Sequence, residues 1–120
     1  MKMNKYNAKK KVVDGIEFDS KTEAKRYAEL NMLERGGVIS GLTLQPKFTP
    51  LDPFTKHGKK RRAITYKADF MYKEDGNTIV EDVKGFAARD FPLRRKLFDA
   101  KFPDLILRVI TLKRGAWEEI

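Results

Sequence analysis

The dipeptide Asp75-Gly76 constrains this chain more than any other feature, because it separates two runs of strand-forming residues, 64–72 and 77–84. Asp-Gly between such runs is the strongest short-range sequence signal for a β-hairpin. Side chains alternate between the two faces of a strand, so the position of the turn also predicts which residues share a face. The central part of the fold is therefore predicted to be this hairpin.

A two-residue turn places Asp69 opposite Asp82, with Lys84 on the same face and Lys67 opposite Lys84. The other face is apolar except for Glu81 and is predicted to pack on the core. Like charges directly opposite on a sheet are destabilising by roughly 0.2–1 kcal/mol. A divalent cation between the two aspartates would turn this repulsion into coordination, since Mg²⁺ prefers oxygen ligands. The alternative is a solvent-facing sheet with scattered charges, and a register shift of one residue would separate the two carboxylates.

The charge balance indicates the kind of partner. The 120 residues include 26 Lys and Arg against 17 Asp and Glu, a net charge of +9. Such a basic chain favours an anionic partner, most often nucleic acid, although simple solubility is the alternative. Without cysteine, the chain has no disulfide, thiolate metal site or cysteine nucleophile, and its single histidine argues against a Ser-His-Asp triad. Neither a signal peptide nor a long apolar run is present, so a cytoplasmic location is expected.

A helix is predicted from Ser20 to Arg35. Ser20 can act as its N-cap, and Glu23 three residues later completes a capping box. Gly36-Gly37 ends the helix. Capping alone would therefore explain Glu23, without any role in a functional site.

The other elements follow from turn residues, prolines and apolar runs. They are a hairpin around Asp14-Gly15, an irregular strand 42–51, a loop 52–60, a helix from about 90 to 102 and a buried strand 105–112. Residues 1–11 are predicted to be a flexible basic arm and 12–120 a single domain. Strands 78–84 and 105–112 flank a helix and are predicted to be parallel, which gives an α/β mixed β-sheet with flanking helices. The role of Trp117 in the tail stays open.

Several cations are candidates for contact with phosphate groups, although such clusters are often merely solvated. They are Lys59, Lys60, Arg61, Arg62, Lys67, Arg94, Arg95 and Lys96. Gln45 could line a site near the acids, but an ordinary strand glutamine is the simpler interpretation.

Phosphodiester hydrolysis needs an activated water and stabilisation of negative charge, and Mg²⁺ held by carboxylates can supply both. A lysine beside the metal can orient the water and offset charge. Asp69, Asp82 and Lys84 fit these roles. Asp69, followed on the next strand by Asp82-Val83-Lys84, resembles the PD-(D/E)xK nuclease signature, with Ala68 where that signature often has proline.

The resemblance extends beyond this signature. The order of elements resembles the restriction-endonuclease-like αβββαβ core, in which a helix often contributes a further acid, here Glu23. The segments FDSKTEAKRYAEL, LQPKF, ITYKADF and VEDVKG are similar to a family of small phage and prophage proteins assigned to this superfamily, over roughly residues 12–110.

The resemblance implies a metal-dependent DNA endonuclease with Glu23, Asp69, Asp82 and Lys84 as catalytic residues. The three acids would bind Mg²⁺, with Mn²⁺ as a substitute. It also implies a Holliday-junction-resolvase-like homodimer acting on branched or duplex DNA, in phage recombination or replication within a bacterial host cell. The alternatives are a non-catalytic DNA-binding module, a nuclease of repair, restriction or transposition type, or a structural phage protein with a basic surface.

Overall fold

The computed structural model describes residues 10–84 and 91–120, which form eleven strands and two helices. In chain order these are β1 (Lys11–Val13), β2 (Ile16–Phe18), α1 (Lys21–Arg35), β3 (Ser40–Leu44), β4 (Lys47–Leu51), β5 (Phe54–Lys56), β6 (Lys59–Arg61), β7 (Ile64–Lys67), β8 (Phe70–Glu74), β9 (Asn77–Val83), α2 (Phe91–Lys101), β10 (Leu105–Lys113) and β11 (Ala116–Glu119). No helix among these residues is long and apolar enough to cross a membrane.

The main sheet has five strands in the order β11-β10-β9-β8-β3. Strands β9 and β10 are parallel, as predicted, because the chain between them includes α2 and returns to the same sheet. The other neighbours in this sheet are antiparallel. The chain is thus α/β with a mixed sheet, and the parallel pair lies at its centre.

Both faces of the sheet are covered, which explains why four consecutive residues of β9, from Ile79 to Asp82, are buried. Ile79 packs with Phe70 and Tyr72 under α1. Val80 points the other way and packs with the α2 residue Phe98. The face predicted to carry the two aspartates is therefore not open to solvent.

The central hairpin has the predicted register. Its ladder runs from Glu74 opposite Asn77 to Phe70 opposite Glu81. Asp75 and Gly76 both have positive φ, of 51° and 80°, as a two-residue turn of the favoured hand requires. Glu81 lies on the face away from Asp82, which confirms the predicted alternation.

Residues 64–72 do not form the single strand that the sequence predicts, because the strand is interrupted at Ala68-Asp69. Its first part, β7, pairs with β4, and its second part, β8, pairs with β9. Lys67 consequently lies opposite Lys47 and not opposite Lys84. Tyr66 likewise turns to the α2 side of the sheet, where it packs with Ala68 and Val80.

The predicted strand 42–51 is interrupted at the same level, at Gln45-Pro46. Gln45 has a φ of 51°, and Pro46 has no N–H to offer a ladder. The backbone N–H of Gln45 donates to the carbonyl of Asp69 at 2.9 Å, and the N–H of Ala68 donates to that of Pro46 at 3.1 Å. The two chain segments therefore leave the main sheet together and continue as the separate β4–β7 ladder.

Two further predictions are corrected, and the tail, whose role the sequence left open, forms a strand. Residues 52–60 were predicted to be a loop, but most of this segment belongs to the β5–β6 hairpin, which turns at His57-Gly58. Lys11 lies in β1, so the basic arm ends earlier than predicted, and residues 1–9 of that arm lie outside the described residues. The tail forms β11, and the indole N–H of Trp117 donates to Glu29 on α1 at 2.6 Å.

Both helices occur where the sequence predicts them. Ser20 caps α1 and accepts a hydrogen bond from the N–H of Glu23 at 3.1 Å, and Gly36 follows its last turn. Helix α2 starts at Phe91, and the positions predicted to precede it, 89 and 90, lie outside the described residues. The hairpin predicted around Asp14-Gly15 is formed by β1 and β2.

Candidate active site

Asp82 lies near the end of β9 and is almost completely buried. Its Oδ2 atom accepts a hydrogen bond from the hydroxyl of Tyr66 and lies 3.2 Å from Nζ of Lys84. The Lys84 ammonium also lies 4.8 Å from the centre of the Phe91 ring, where the face of the aromatic ring attracts a cation. The predicted Asp82–Lys84 contact is thus confirmed.

Asp69 occupies the strand interruption and stands beside Asp82, although not as a regular ladder pair. Its backbone N–H donates to the carbonyl of Glu81 at 3.2 Å, and its Oδ2 accepts the N–H of Val83 at 2.7 Å. Burial raises the pKa of Asp69 well above its usual range, and hydrogen bonds to Glu23 and Asp82, together with their charges, raise it further. The three carboxyl groups therefore form one interacting cluster.

Glu23 reaches this cluster from the first turn of α1 and is buried. Its Oε2 atom accepts the N–H of Asp19 at 3.1 Å, so the carboxylate also caps the chain that enters the helix. Capping is thus not its only contact, because Glu23 interacts with Asp69 as well. The structure brings together all four residues predicted to be catalytic.

A cavity of about 190 Å³ opens beside two of the three acids, Glu23 and Asp69. Its lining residues are Ile16, Glu17, Phe18, Glu23, Leu44, Gln45 and Asp69. At roughly 30 Å³ per water in the liquid, it has room for several waters or for a hydrated cation. Gln45 is therefore a site-lining residue, and its interpretation as an ordinary strand glutamine is wrong. Its left-handed backbone at the strand interruption is what places it there.

Tyr66 is a site residue that the sequence analysis missed. Burial raises its pKa above the usual value, and the charge and hydrogen bond of Asp82 raise it further, so the hydroxyl stays protonated and donates. In a continuous strand Tyr66 would face away from Asp82. The alternation of Tyr66, Lys67 and Ala68 is that of a regular strand, and the local signal of the interruption is the low strand propensity of Lys67, Ala68 and Asp69.

On the opposite face, Glu81 is completely buried and accepts two hydrogen bonds of 2.8 Å from the guanidinium of Arg26. The hydroxyl of Tyr72 donates a third, also at 2.8 Å. Burial alone lowers the pKa of Arg26, but the hydrogen bonds and charge of Glu81 more than offset this and keep it above the usual value. Burial and Glu81 together raise the pKa of Tyr72 to about 12. This network fixes β9, and with it Asp82, against α1.

The predicted phosphate-binding cations differ in their availability. Lys59, Lys60, Arg61, Arg62, Lys67 and Lys96 are exposed. Arg94 and Arg95 are half-buried, and each donates to a backbone carbonyl, Arg94 to Thr65 and Arg95 to Ile120 at 2.8 Å. These two arginines hold α2 against its neighbours, in addition to any contact with a ligand.

The arrangement and the chemistry of Glu23, Asp69 and Asp82 can be compared with those of a divalent-cation site. Within residues 10–84 and 91–120, no group of three or more Asp, Glu, His or Cys side chains is arranged as a preformed metal site. The chemistry of the donor set still fits a hard cation, since carboxylate oxygens are the ligands that Mg²⁺ prefers. Hydrogen bonds that now join Asp69 to its two neighbours need a proton, which a bound cation would displace.

Comparison with known proteins gives a family and no named relative. No curated protein and no solved structure matches this sequence. One family profile, described as a protein of unknown function (DUF1064), matches residues 3–115. Since that match spans nearly the whole chain, the protein belongs to the DUF1064 family.

Proposed function

We propose that this protein is a metal-dependent DNA endonuclease with a PD-(D/E)xK-type active site on a restriction-endonuclease-like core. The observation that carries the proposal is the contact of Asp69 with both Glu23 and Asp82, with Lys84 beside Asp82. Gathering three largely buried carboxyl groups costs free energy, and a fold gains nothing from it unless a cation or proton compensates. A site for a hard cation explains the arrangement.

Each residue has a distinct task in this proposal. Glu23, Asp69 and Asp82 would hold Mg²⁺ or Mn²⁺, which supplies an activated water and stabilises the charge that develops on the phosphate. The ammonium of Lys84, between Asp82 and the Phe91 ring, is placed to orient the attacking water and to offset negative charge. The hydroxyl of Tyr66 fixes the orientation of the Asp82 carboxylate.

The proposed substrate is DNA, branched or duplex, in keeping with the net charge of +9 and the exposed cations that extend from Lys59 to Arg62. A Holliday-junction-resolvase-like homodimer that acts in phage recombination, in the cytoplasm of a bacterial host, is the form of this proposal that the sequence resemblance suggests.

The second candidate function is a non-catalytic DNA-binding module. It is favoured by the absence of a preformed metal geometry within the described part of the chain. Cleavage separates the two candidates, since a binding module needs neither the acids nor a cation.

The test incubates purified protein and Mg²⁺ with labelled duplex, flap, single-stranded and four-way DNA, and repeats the assay with Mn²⁺ and with a chelator. We expect metal-dependent cleavage by the wild type and none by Asp82→Asn. If the wild type cuts no substrate with either metal, the nuclease proposal is wrong and the binding module takes its place.

A further inference from the structure

Strands β5 and β6 and their turn at His57-Gly58 form an element that we call the basic ribbon, residues 54–61. The two strands make a two-stranded sheet of their own. Every residue from Asp52 to Arg62 is exposed. Burial in the core therefore does not explain why the chain forms a regular hairpin here.

The basic ribbon continues an arm that is anchored in the core. The pairs Leu51–Ile64 and Phe54–Arg61 keep the same register, so β4–β7 and the ribbon are two parts of one antiparallel arm. At the base, Phe48 packs edge-on against Phe98 of α2, with ring centres 5.1 Å apart. With a rise of about 3.3 Å per residue, the chain from residue 51 to the tip at 57 extends by roughly 20 Å.

The arm's outer part carries a dense and uncompensated positive charge. Its cations are Lys56, Lys59, Lys60, Arg61 and Arg62, and the segment from Pro53 to Arg62 contains no acidic residue. Lys56 lies directly opposite Lys59, a like-charge pair that destabilises a hairpin. Within the described part of the chain, none of the five makes an ion pair or a side-chain hydrogen bond. An anionic partner would relieve this repulsion.

The register distributes these charges over both faces of the ribbon. Phe54, Lys56, Lys59 and Arg61 share one face, whereas Thr55 and Lys60 share the other, because paired residues point the same way. A groove of duplex DNA has a phosphate backbone on each side. Cations on both faces of a ribbon can therefore contact both walls of a groove at once.

We propose that the basic ribbon inserts into the major groove of double-stranded DNA. The choice of DNA as the partner rests on the proposed function. The major groove of B-form DNA, about 12 Å wide, admits a two-stranded β-ribbon, whose strands lie about 4.8 Å apart. The minor groove of undistorted B-form DNA, about 6 Å wide, is too narrow for the ribbon with its side chains, and the major groove of duplex RNA is too deep and narrow for side chains to enter. Duplex DNA is thus the substrate class that the shape of this element fits.

The test uses the full chain and two variants of equal net charge. The ribbon variant is Lys56→Gln, Lys59→Gln, Lys60→Gln and Arg61→Gln. The control variant is Lys25→Gln, Arg35→Gln, Lys73→Gln and Arg114→Gln, four exposed cations outside the ribbon. Affinity for a labelled DNA duplex, the same single strand and an RNA duplex is measured by anisotropy in chelator over a range of salt concentrations. Melting curves establish that both variants are folded.

We expect the wild type to bind the DNA duplex more tightly than either other nucleic acid. The ribbon variant should bind the duplex at least roughly tenfold more weakly, and its salt slope should flatten by up to about 3.6, which is about 0.9 for each of the phosphates that its four cations no longer neutralise. The control variant should be weakened much less. Equal weakening in the two variants, or equal wild-type affinity for single strand and duplex, would overturn the proposal.

Insertion into the groove is tested with a duplex whose cytosines carry a glucosyl group on the major-groove edge. The wild type should bind this duplex more weakly than the unmodified duplex, whereas the ribbon variant should bind the two equally well. Unchanged wild-type affinity would show that the ribbon stays outside the groove.

Cleavage assays separate this result from the proposed function. Ribbon-dependent duplex binding without any cleavage contradicts only the nuclease, whereas Asp82-dependent cleavage with ribbon-independent binding contradicts only the ribbon.

Discussion

At the scale of single residues, the Asp82 carboxylate contacts the hydroxyl of Tyr66, the ammonium of Lys84 and the carboxyl group of Asp69. Asp82→Asn keeps the size of the side chain and an oxygen that can accept the Tyr66 hydrogen bond. A neutral amide is a much poorer ligand for Mg²⁺ than a carboxylate. We expect cleavage to fall by more than roughly 100-fold, since even indirect supports of a metal site are worth about 10–100-fold.

DNA affinity should survive this substitution, because removing a negative charge does not weaken attraction to phosphate. Cleavage rate and gel-shift affinity are measured on the same branched substrate, with a melting curve as the control for folding. Cleavage by Asp82→Asn at close to the wild-type rate would show that the active site lies elsewhere.

Tyr66→Phe removes one hydroxyl and leaves the ring packed against Phe91 and Phe98. We expect Mn²⁺ affinity to fall by about 10–100-fold, because the carboxylate of Asp82 loses the group that orients it. Stability should fall by about 1–3 kcal/mol. Phe98→Leu, in the same core cluster, is the matched control and should lose stability without losing Mn²⁺ affinity. Equal effects of the two variants on metal affinity would show that Tyr66 acts by packing and that its hydroxyl does not orient Asp82.

The sequence predicts the four acid and base residues of the site, but not Tyr66, Arg26 or the position of Gln45. Asp69, Asp82 and Lys84 follow from the hairpin register, which is a local rule, whereas Glu23 follows from the resemblance to the nuclease family. The others depend on contacts between residues far apart in the chain. Arg26 meets Glu81 only after α1 has packed on the sheet, and Tyr66 turns toward Asp82 only because two chain segments are interrupted at the same level.

At the scale of elements, the packing of α1 on β9 depends on a buried ion pair. Glu81→Gln leaves the largely buried guanidinium of Arg26 with only the more exposed Glu29 as counter-charge, which should cost up to about 3–5 kcal/mol in the free energy of unfolding. Asp52→Asn breaks the exposed pair with Lys101 and should cost less than about 1 kcal/mol.

Adding Arg26→Met to Glu81→Gln should recover part of the loss, because the buried charge that has lost its main partner is then removed. Urea denaturation of the three variants measures these differences. If Glu81→Gln is no less stable than Asp52→Asn, the ion pair does not hold the helix to the sheet.

Element types and the central register could be predicted because the turn dipeptides, the capping box and the apolar runs each act over a few residues. Strand continuity could not. Residues 64–72 alternate as a single strand would, with only Lys67, Ala68 and Asp69 of low strand propensity, and it is pairing with two different partners, β4 and β9, that separates β7 from β8. The β5–β6 hairpin could not be predicted either, because it has almost no apolar pattern and a glycine such as Gly58 is equally typical of a loop.

At the scale of the whole molecule, a cation bound by the acids should stabilise the native state. At 100 times the dissociation constant, the gain is about 2.7 kcal/mol. For a domain of this size that corresponds to a rise in Tm of roughly 10 °C. Thermal melts with Mn²⁺ and with a chelator measure it without any cleavage assay.

Asp69→Asn is the matched variant for this measurement. It should show little rise in Tm with Mn²⁺, yet in chelator it should melt above the wild type, because one buried acidic group has been removed from the cluster. A wild-type Tm that is insensitive to Mn²⁺ and Mg²⁺ would contradict the metal site, whatever the cleavage assays show.

The parallel pairing of β9 with β10 also determines when the acid cluster can form during synthesis. Glu23 and Asp69 emerge from the ribosome early, but β9 lies at the middle of the sheet and one of its two neighbours, β10, is made only after α2. Pairing across such sequence separations comes late in folding, because loop-closure entropy must be overcome first. A nascent chain therefore displays its basic surface before Asp82 is held in place. Under the proposed function, the chain would therefore gain affinity for DNA before it gains the capacity to cut.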